Sequence, residues 1–241
     1  MKNVFFRLLW VLVACLLAVG MTACNGTGNG QETEYVTFDA YATDKAELNA
    51  DMVAIAAEID SMRVGDFAET VRKTQYVKIT VRDFGDVIIR LREDIAPETV
   101  ENFCKLVSEG FYDGLIVHRV VKDFVIQTGD PKGDGSGGST QPVLGEFSAN
   151  GVKNDLSHIR GVVSMARKGD GYNTATSQFM ICNSDKAASS LDGVSAAFGY
   201  VVAGLEVVLT VSEVEVTLGS GEVSRPVEPV IIEKICFVYK K

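Results

Sequence analysis

Histidine, tryptophan and proline are scarce in this chain. Its 241 residues hold two histidines, one tryptophan and five prolines. The histidines, His118 and His158, stand apart, and the five cysteines form no close Cys/His cluster. That argues against a structural metal site. Basic residues are in deficit. The formal charge is −9 with no basic cluster, so nucleic acid is an unsuitable partner. No serine, histidine and aspartate stand at a usable triad spacing, and no two carboxylates pair in an apolar context. The glycines at 133, 135, 137 and 138 lead into Ser-Thr-Gln-Pro. A phosphate loop would lead into a Lys-Ser/Thr helix start, so this stretch reads as a flexible loop. No cofactor and no metal are expected.

Long apolar runs are also few, and the one that stands out is at the N-terminus. Lys2 and Arg7 precede an apolar run from Leu8 to Val19, which is short for a membrane span. It ends in Met21-Thr22-Ala23-Cys24. This resembles the lipobox of bacterial lipoproteins, with Met21 where those usually carry leucine. The resemblance implies removal of residues 1–23 and lipidation of Cys24. Several acyl chains would anchor the protein firmly, at about 0.8 kcal/mol per buried methylene. The expected location is the cell envelope, at the outer membrane facing the periplasm, because Asn25 after Cys24 is not an acidic retention signal. The processed chain keeps Cys104, Cys182 and Cys236, all in apolar periodic segments, which suggests buried thiols.

Residues 24–74 read as a Gly-rich tether followed by an amphipathic helix at 44–63. Leu48, Met52, Ile55, Ile59 and Met62 fall on one face. This helix could dock on its own domain, pair with a partner or space the domain from a membrane, so the oligomeric state stays open. From residue 75 the pattern becomes one of short strands. Val77, Ile79 and Val81 alternate with Lys78, Thr80 and Arg82, and a turn at 83–86 leads into a return strand, which predicts a hairpin. Pro97 opens a helix whose buried face is Val100, Phe103, Cys104, Leu106 and Val107, and Gly110 stops it. Further strands are expected at 117–121, 125–130, 161–166, 177–182, 197–202 and 231–239, with a short helix at 205–211. The fold class is therefore mainly β. The expected form is a closed eight-stranded antiparallel barrel capped by two helices, with an N-terminal helical extension.

Within this pattern, VHRVVKDFVIQTGD at 117–130 places Arg119 and Gln127 inside apolar strands. Gln178 does the same on a third. Phe124, Met180 and Leu191 add apolar surface. A cation, amides and an apolar pocket suit one reaction that needs neither nucleophile nor cofactor, rotation about an X–Pro bond. Its barrier of roughly 18–20 kcal/mol comes from lost amide resonance. A guanidinium directed at the twisted proline nitrogen favours the twisted state over the planar one.

At these residues the chain resembles the cyclophilin family of peptidyl-prolyl isomerases, over roughly 76–239. The shared stretches are Ala96 to Phe103, Gly110 to Gly114, Val117 to Asp130, Gly161 to Arg167, Ser177 to Phe179, Leu191 to Gly193 and Phe198-Gly199. The resemblance implies roles. Arg119 matches the catalytic arginine, Gln127 the amide that orients it, and Phe124 a wall of the proline pocket. Val125, Met180 and Leu191 match further pocket positions. Ala166 and Arg167 match the backbone edge that pairs with the peptide, Gln178 another substrate contact, and His118 a neighbour of the arginine. The implied partners are proline-containing segments of exported proteins. The departures are Val125 for methionine, Met180 for phenylalanine, Ser190 for tryptophan and Ser195 for histidine. They imply a less aromatic, more open pocket and weak binding of cyclosporin. A catalytically weak peptide-binding module or chaperone is the rival expectation.

Overall fold

The computed structural model describes residues 35–38, 76–169 and 171–240. The expected signal segment, Cys24 and the amphipathic helix at 44–63 lie outside the described residues.

The strands of the domain are β2 (Tyr76–Val81), β3 (Gly85–Leu91), β4 (Arg119–Val121), β5 (Val125–Thr128), β6 (Val162–Met165), β7 (Phe179–Cys182), β8 (Ala197–Ala203) and β11 (Ile232–Lys240). They form one antiparallel sheet in the order β11-β2-β3-β8-β6-β7-β5-β4. The sheet curls until its outer strands approach. Segments leading into them are stitched by Val117 N to Val230 O at 2.8 Å and Ile232 N to Leu115 O at 2.7 Å. This is the eight-stranded antiparallel arrangement expected from the sequence, as a curled sheet whose edges meet through these bonds rather than a continuous ladder. Within a second unit, the end of β11 pairs antiparallel with a short strand β1 (Tyr35–Phe38), from Phe38 opposite Phe237 to Tyr35 opposite Lys240. The sequence reading placed no strand there.

Helix α1 (Pro97–Ser108) opens on the proline and buries Thr99 together with the five apolar residues expected. Its N-cap, Ala96, offers no side-chain oxygen. Glu146, buried and distant in sequence, accepts instead from the N–H groups of Glu98 at 3.1 Å and Thr99 at 2.8 Å. A carboxylate at a helix N-terminus meets both the orphan donors and the positive end of the dipole. Phe103 then packs on Tyr112, Phe179 and Phe198, with ring centroids 5.1–5.4 Å apart. Tyr112 donates from its hydroxyl to the Ser177 carbonyl at 3.2 Å, so α1 is fastened beside the start of β7. Helix α3 (Leu205–Val211) buries Val207, Val208 and Val211 against the barrel interior. A short turn of helix, α2 (Ala188–Leu191), carries the apolar side chain of Leu191. A hairpin of β9 (Val216–Leu218) and β10 (Val223–Pro226) forms a separate two-stranded sheet.

Candidate active site

Strand register assembles the site. Arg119 on β4 lies opposite Gln127 on β5, Gln127 opposite Met180 on β7, and Met180 opposite Ser164 on β6. Directly opposed residues point to one face of a sheet. The four therefore form a transverse row with neighbours about 4.7–4.9 Å apart along the hydrogen-bonding direction. The face that carries Arg119 and Gln127 is thus continuous with an apolar one. Both side chains are only partly buried.

The polar half of the row is a relay of side chains. Arg119 Nη1 donates to Gln127 Oε1 at 3.4 Å. Gln127 Nε2 donates to Gln178 Oε1 at 2.8 Å. Gln178 Nε2 donates to the carbonyls of Gly135 at 3.0 Å and Gly137 at 2.7 Å. The relay ends in the glycine-rich loop, which wraps Asp130. That buried carboxylate accepts from the N–H groups of Lys132, Asp134 and Gly135 at 2.8, 3.2 and 2.6 Å. A Cβ on Gly137 would lie 2.0 Å from Asp130 Oδ1, so only glycine allows this approach. The glycine content implies a flexible loop; the structure instead gives it a defined job, holding Gln178.

The apolar half lies alongside. Phe124 and Leu191 pack against buried Val125, Met180, Cys182 and Ala187. The Arg119 guanidinium carbon sits 5.8 Å from the Phe124 ring centroid, within reach of a cation–π contact. Phe124, Val125, Met180 and Leu191 are therefore brought together as the sequence implied.

Ala166, Arg167 and His118 are the remaining residues that the resemblance implies. Ala166 donates its N–H to the Gln178 carbonyl at 2.9 Å, so that donor is spent inside the sheet. The Arg167 side chain is tied to the carbonyls of Val194, Lys168 and Gly171 at 2.9, 3.1 and 3.2 Å, and it lies over the rings of Phe147 and Tyr172. Its side chain works as a strap. His118 is buried, and neither ring nitrogen has a well-formed hydrogen bond. Gln178 lies beside the imidazole, but both of its amide donors are committed elsewhere. Burial pushes the His118 pKa down, opposed by Asp130, so the ring packs as a neutral group behind the arginine.

The fold also makes an arrangement the sequence reading did not foresee. His158 Nδ1 lies 2.7 Å from Asp192 Oδ1, and His158 Nε2 lies 2.9 Å from Ser164 Oγ. This has the order of a nucleophilic triad, but Ser164 is 0% exposed and His158 1%. No substrate can reach the hydroxyl. The chain instead ties the loop after Leu191 to β6. Burial lowers the His158 pKa against the pull of Asp192. Burial acts to raise Asp192, but hydrogen bonds from Ser157 and His158 outweigh it and hold the carboxyl below its ordinary value.

Glu222 was also missed. Its carboxylate takes the Arg119 Nε–H at 2.8 Å and an Nη2–H at 3.3 Å. It lies in the turn just before β10, 103 residues away in sequence. The Gly219-Ser220-Gly221 turn between two alternating segments could have revealed the hairpin, though not where it lands. Arg119, Gln127, His118, Leu218, Glu222 and Arg225 all line one open pocket.

The arrangement is that of a known family. Residues 76–236 match the model for cyclophilin type peptidyl-prolyl cis-trans isomerase/CLD. The chain is 40% identical over 151 residues to a peptidyl-prolyl cis-trans isomerase of Schizosaccharomyces pombe, covering 62% of this chain and 91% of that one. It is 36% identical over 166 residues to a peptidyl-prolyl cis-trans isomerase-like 2 protein of Rhizopus delemar, where the match spans 68% of this chain but 29% of the relative. Its fold is similar to a cyclophilin type peptidyl-prolyl cis-trans isomerase of Cryptosporidium parvum solved in the presence of the dipeptide Ala-Pro. The TM-score is 0.60 at 30% identity, covering 68% of this chain and 98% of that one. The chain belongs to the cyclophilin-type peptidyl-prolyl cis-trans isomerases. It is an isomerase of X–Pro bonds.

Proposed function

We propose that the isomerase works through Arg119, on the X–Pro bonds of exported proteins, from a lipid anchor at Cys24. The proline ring enters the apolar surface of Phe124, Val125, Met180 and Leu191. Gln127, itself held by Gln178, steadies the peptide on one side of the bond while the other side turns. As the bond twists, the proline nitrogen loses conjugation and gains a lone pair, and Arg119 donates to it. In the planar ground state the guanidinium holds a peptide carbonyl and so contributes to binding; the lone pair forms only on twisting, and that added contact lowers the barrier. Uncatalysed exchange takes tens to hundreds of seconds, long enough to limit folding of an exported chain.

The observation that carries this reading is the Arg119–Gln127–Met180 row, which sets a cation and an amide at the edge of an apolar cluster. Its test is cis–trans relaxation of a short X–Pro peptide by the purified protein and by Arg119→Ala. Relaxation accelerated by the first and lost in the second supports the reading. Equal rates would remove Arg119 from the mechanism.

The anchor rests on Cys24 after an apolar N-terminal run, with an outer-membrane, periplasm-facing location as the matching proposal. Fatty-acid labelling that disappears in Cys24→Ser is the expected result, and labelling that persists would contradict it.

A further inference from the structure

We infer that Glu222 is an internal ligand of Arg119 that competes with substrate and so helps to set the KM of the isomerase. The inference rests on the proposed role of Arg119.

The guanidinium presents its donors as a rigid planar fork. Its Nε and Nη2 donors are engaged by Glu222 and Nη1 is directed at Gln127. A peptide that seeks Arg119 therefore meets a side chain whose polar edges are already occupied. Glu222 is delivered by the turn of the β9–β10 hairpin, where Gly219 N–H donates to the Glu222 carbonyl at 2.7 Å. The hairpin tip is joined to the glycine-rich loop by Ser220 Oγ to the Asp134 carbonyl at 2.6 Å. Glu222 therefore reaches the arginine from outside the barrel. Asp134, Arg225 and neutral His118 complete the titratable groups of the pocket. Ser224 and Leu218 complete its rim near the hairpin.

The pair is easily opened. The side chains of Arg119 and Glu222 are 28% and 46% exposed. An exposed ion pair shifts an equilibrium by only about two- to fivefold. If only the fraction with a free guanidinium binds peptide, the apparent affinity falls by that fraction. Once peptide is bound at saturation, the carboxylate is displaced and turnover is unaffected. Glu222 thus acts on KM and leaves kcat alone. A residue that merely supported Arg119 would do the opposite, lowering kcat when removed.

The experiment compares full-length wild type, Glu222→Gln and Glu222→Ala on an uncharged X–Pro tetrapeptide at low ionic strength. Both variants should show KM lowered about two- to fivefold with kcat unchanged. The difference from wild type should close as salt is raised, because exposed charges are screened. A KM that stays the same or rises, or a kcat that falls, would overturn the inference. Failure of the underlying reading looks different: Arg119→Ala would then turn over peptide as wild type does, whatever Glu222 does.

Discussion

Gln127 stands between a donor-only guanidinium and a second amide. Only one orientation serves both, with its carbonyl oxygen toward Arg119 and its nitrogen toward Gln178. Removing the side chain frees Arg119 from its strand and breaks the relay to the glycine-rich loop. A hydrogen bond to a charged group contributes about 1.5–3 kcal/mol. Gln127→Ala should therefore lower kcat/KM by about tenfold or more, with little change in the urea midpoint because the residue is part-exposed. Wild-type kcat/KM in the variant would show that Arg119 needs no such support. At this scale the sequence was informative. Arg119, Gln127 and Gln178 betray themselves as polar residues inside apolar strands, and period-two alternation puts each on a definite face. Glu222 and Asp192 could not be read in this way. Both meet their partners through long-range contacts, and nothing in their local pattern marks them.

Helix α1 shows how an element can be recognised while its support remains hidden. Pro97 and the spacing of Val100, Phe103, Cys104 and Val107 announce the helix. The cap comes from Glu146, 47 residues after Thr99, and no local motif foretells it. Glu146→Ala would leave two N–H groups at the first turn without their carboxylate, one of them in a buried hydrogen bond. The expected cost is about 1–3 kcal/mol, read as a lower urea or thermal midpoint. An unchanged midpoint would mean that water replaces the carboxylate without loss. The glycine-rich loop follows the same logic. Its composition suggested freedom, yet Asp130 gathers its N–H groups and the loop then fixes Gln178. Composition reports what a segment can do alone; a buried carboxylate supplied by the neighbouring strand end decides what it does here.

For the whole molecule, the barrel buries what the reaction does not use. Cys104, Cys182 and Cys236 are buried, and none of the three is in a disulfide. Burial pushes the Cys182 thiol up to about 12 and the Cys236 thiol up to about 11. The thiolate is the reactive form, so alkylating reagent near neutral pH should leave Cys182 and Cys236 unmodified until denaturant is added. Rapid labelling of the native protein would contradict the packing described. The fold class was legible, because eight short alternating strands with two helices suit one antiparallel sheet; the strand order was not read from the sequence. Where the β9–β10 hairpin lands was not legible either, since it makes a separate sheet and meets Arg119 only through a long-range contact. On the assembled face, Arg119 stabilises the twisted bond and does not merely hold the peptide. The most direct measurement follows one X–Pro peptide at equilibrium by exchange NMR with wild type and Arg119→Ala, reading turnover and peptide occupancy in the same sample. Exchange should fall by about 10²–10³-fold, as on removal of a transition-state donor, while the variant still binds the peptide, though more weakly. Exchange at the wild-type rate in a variant with the peptide bound would contradict this role of Arg119.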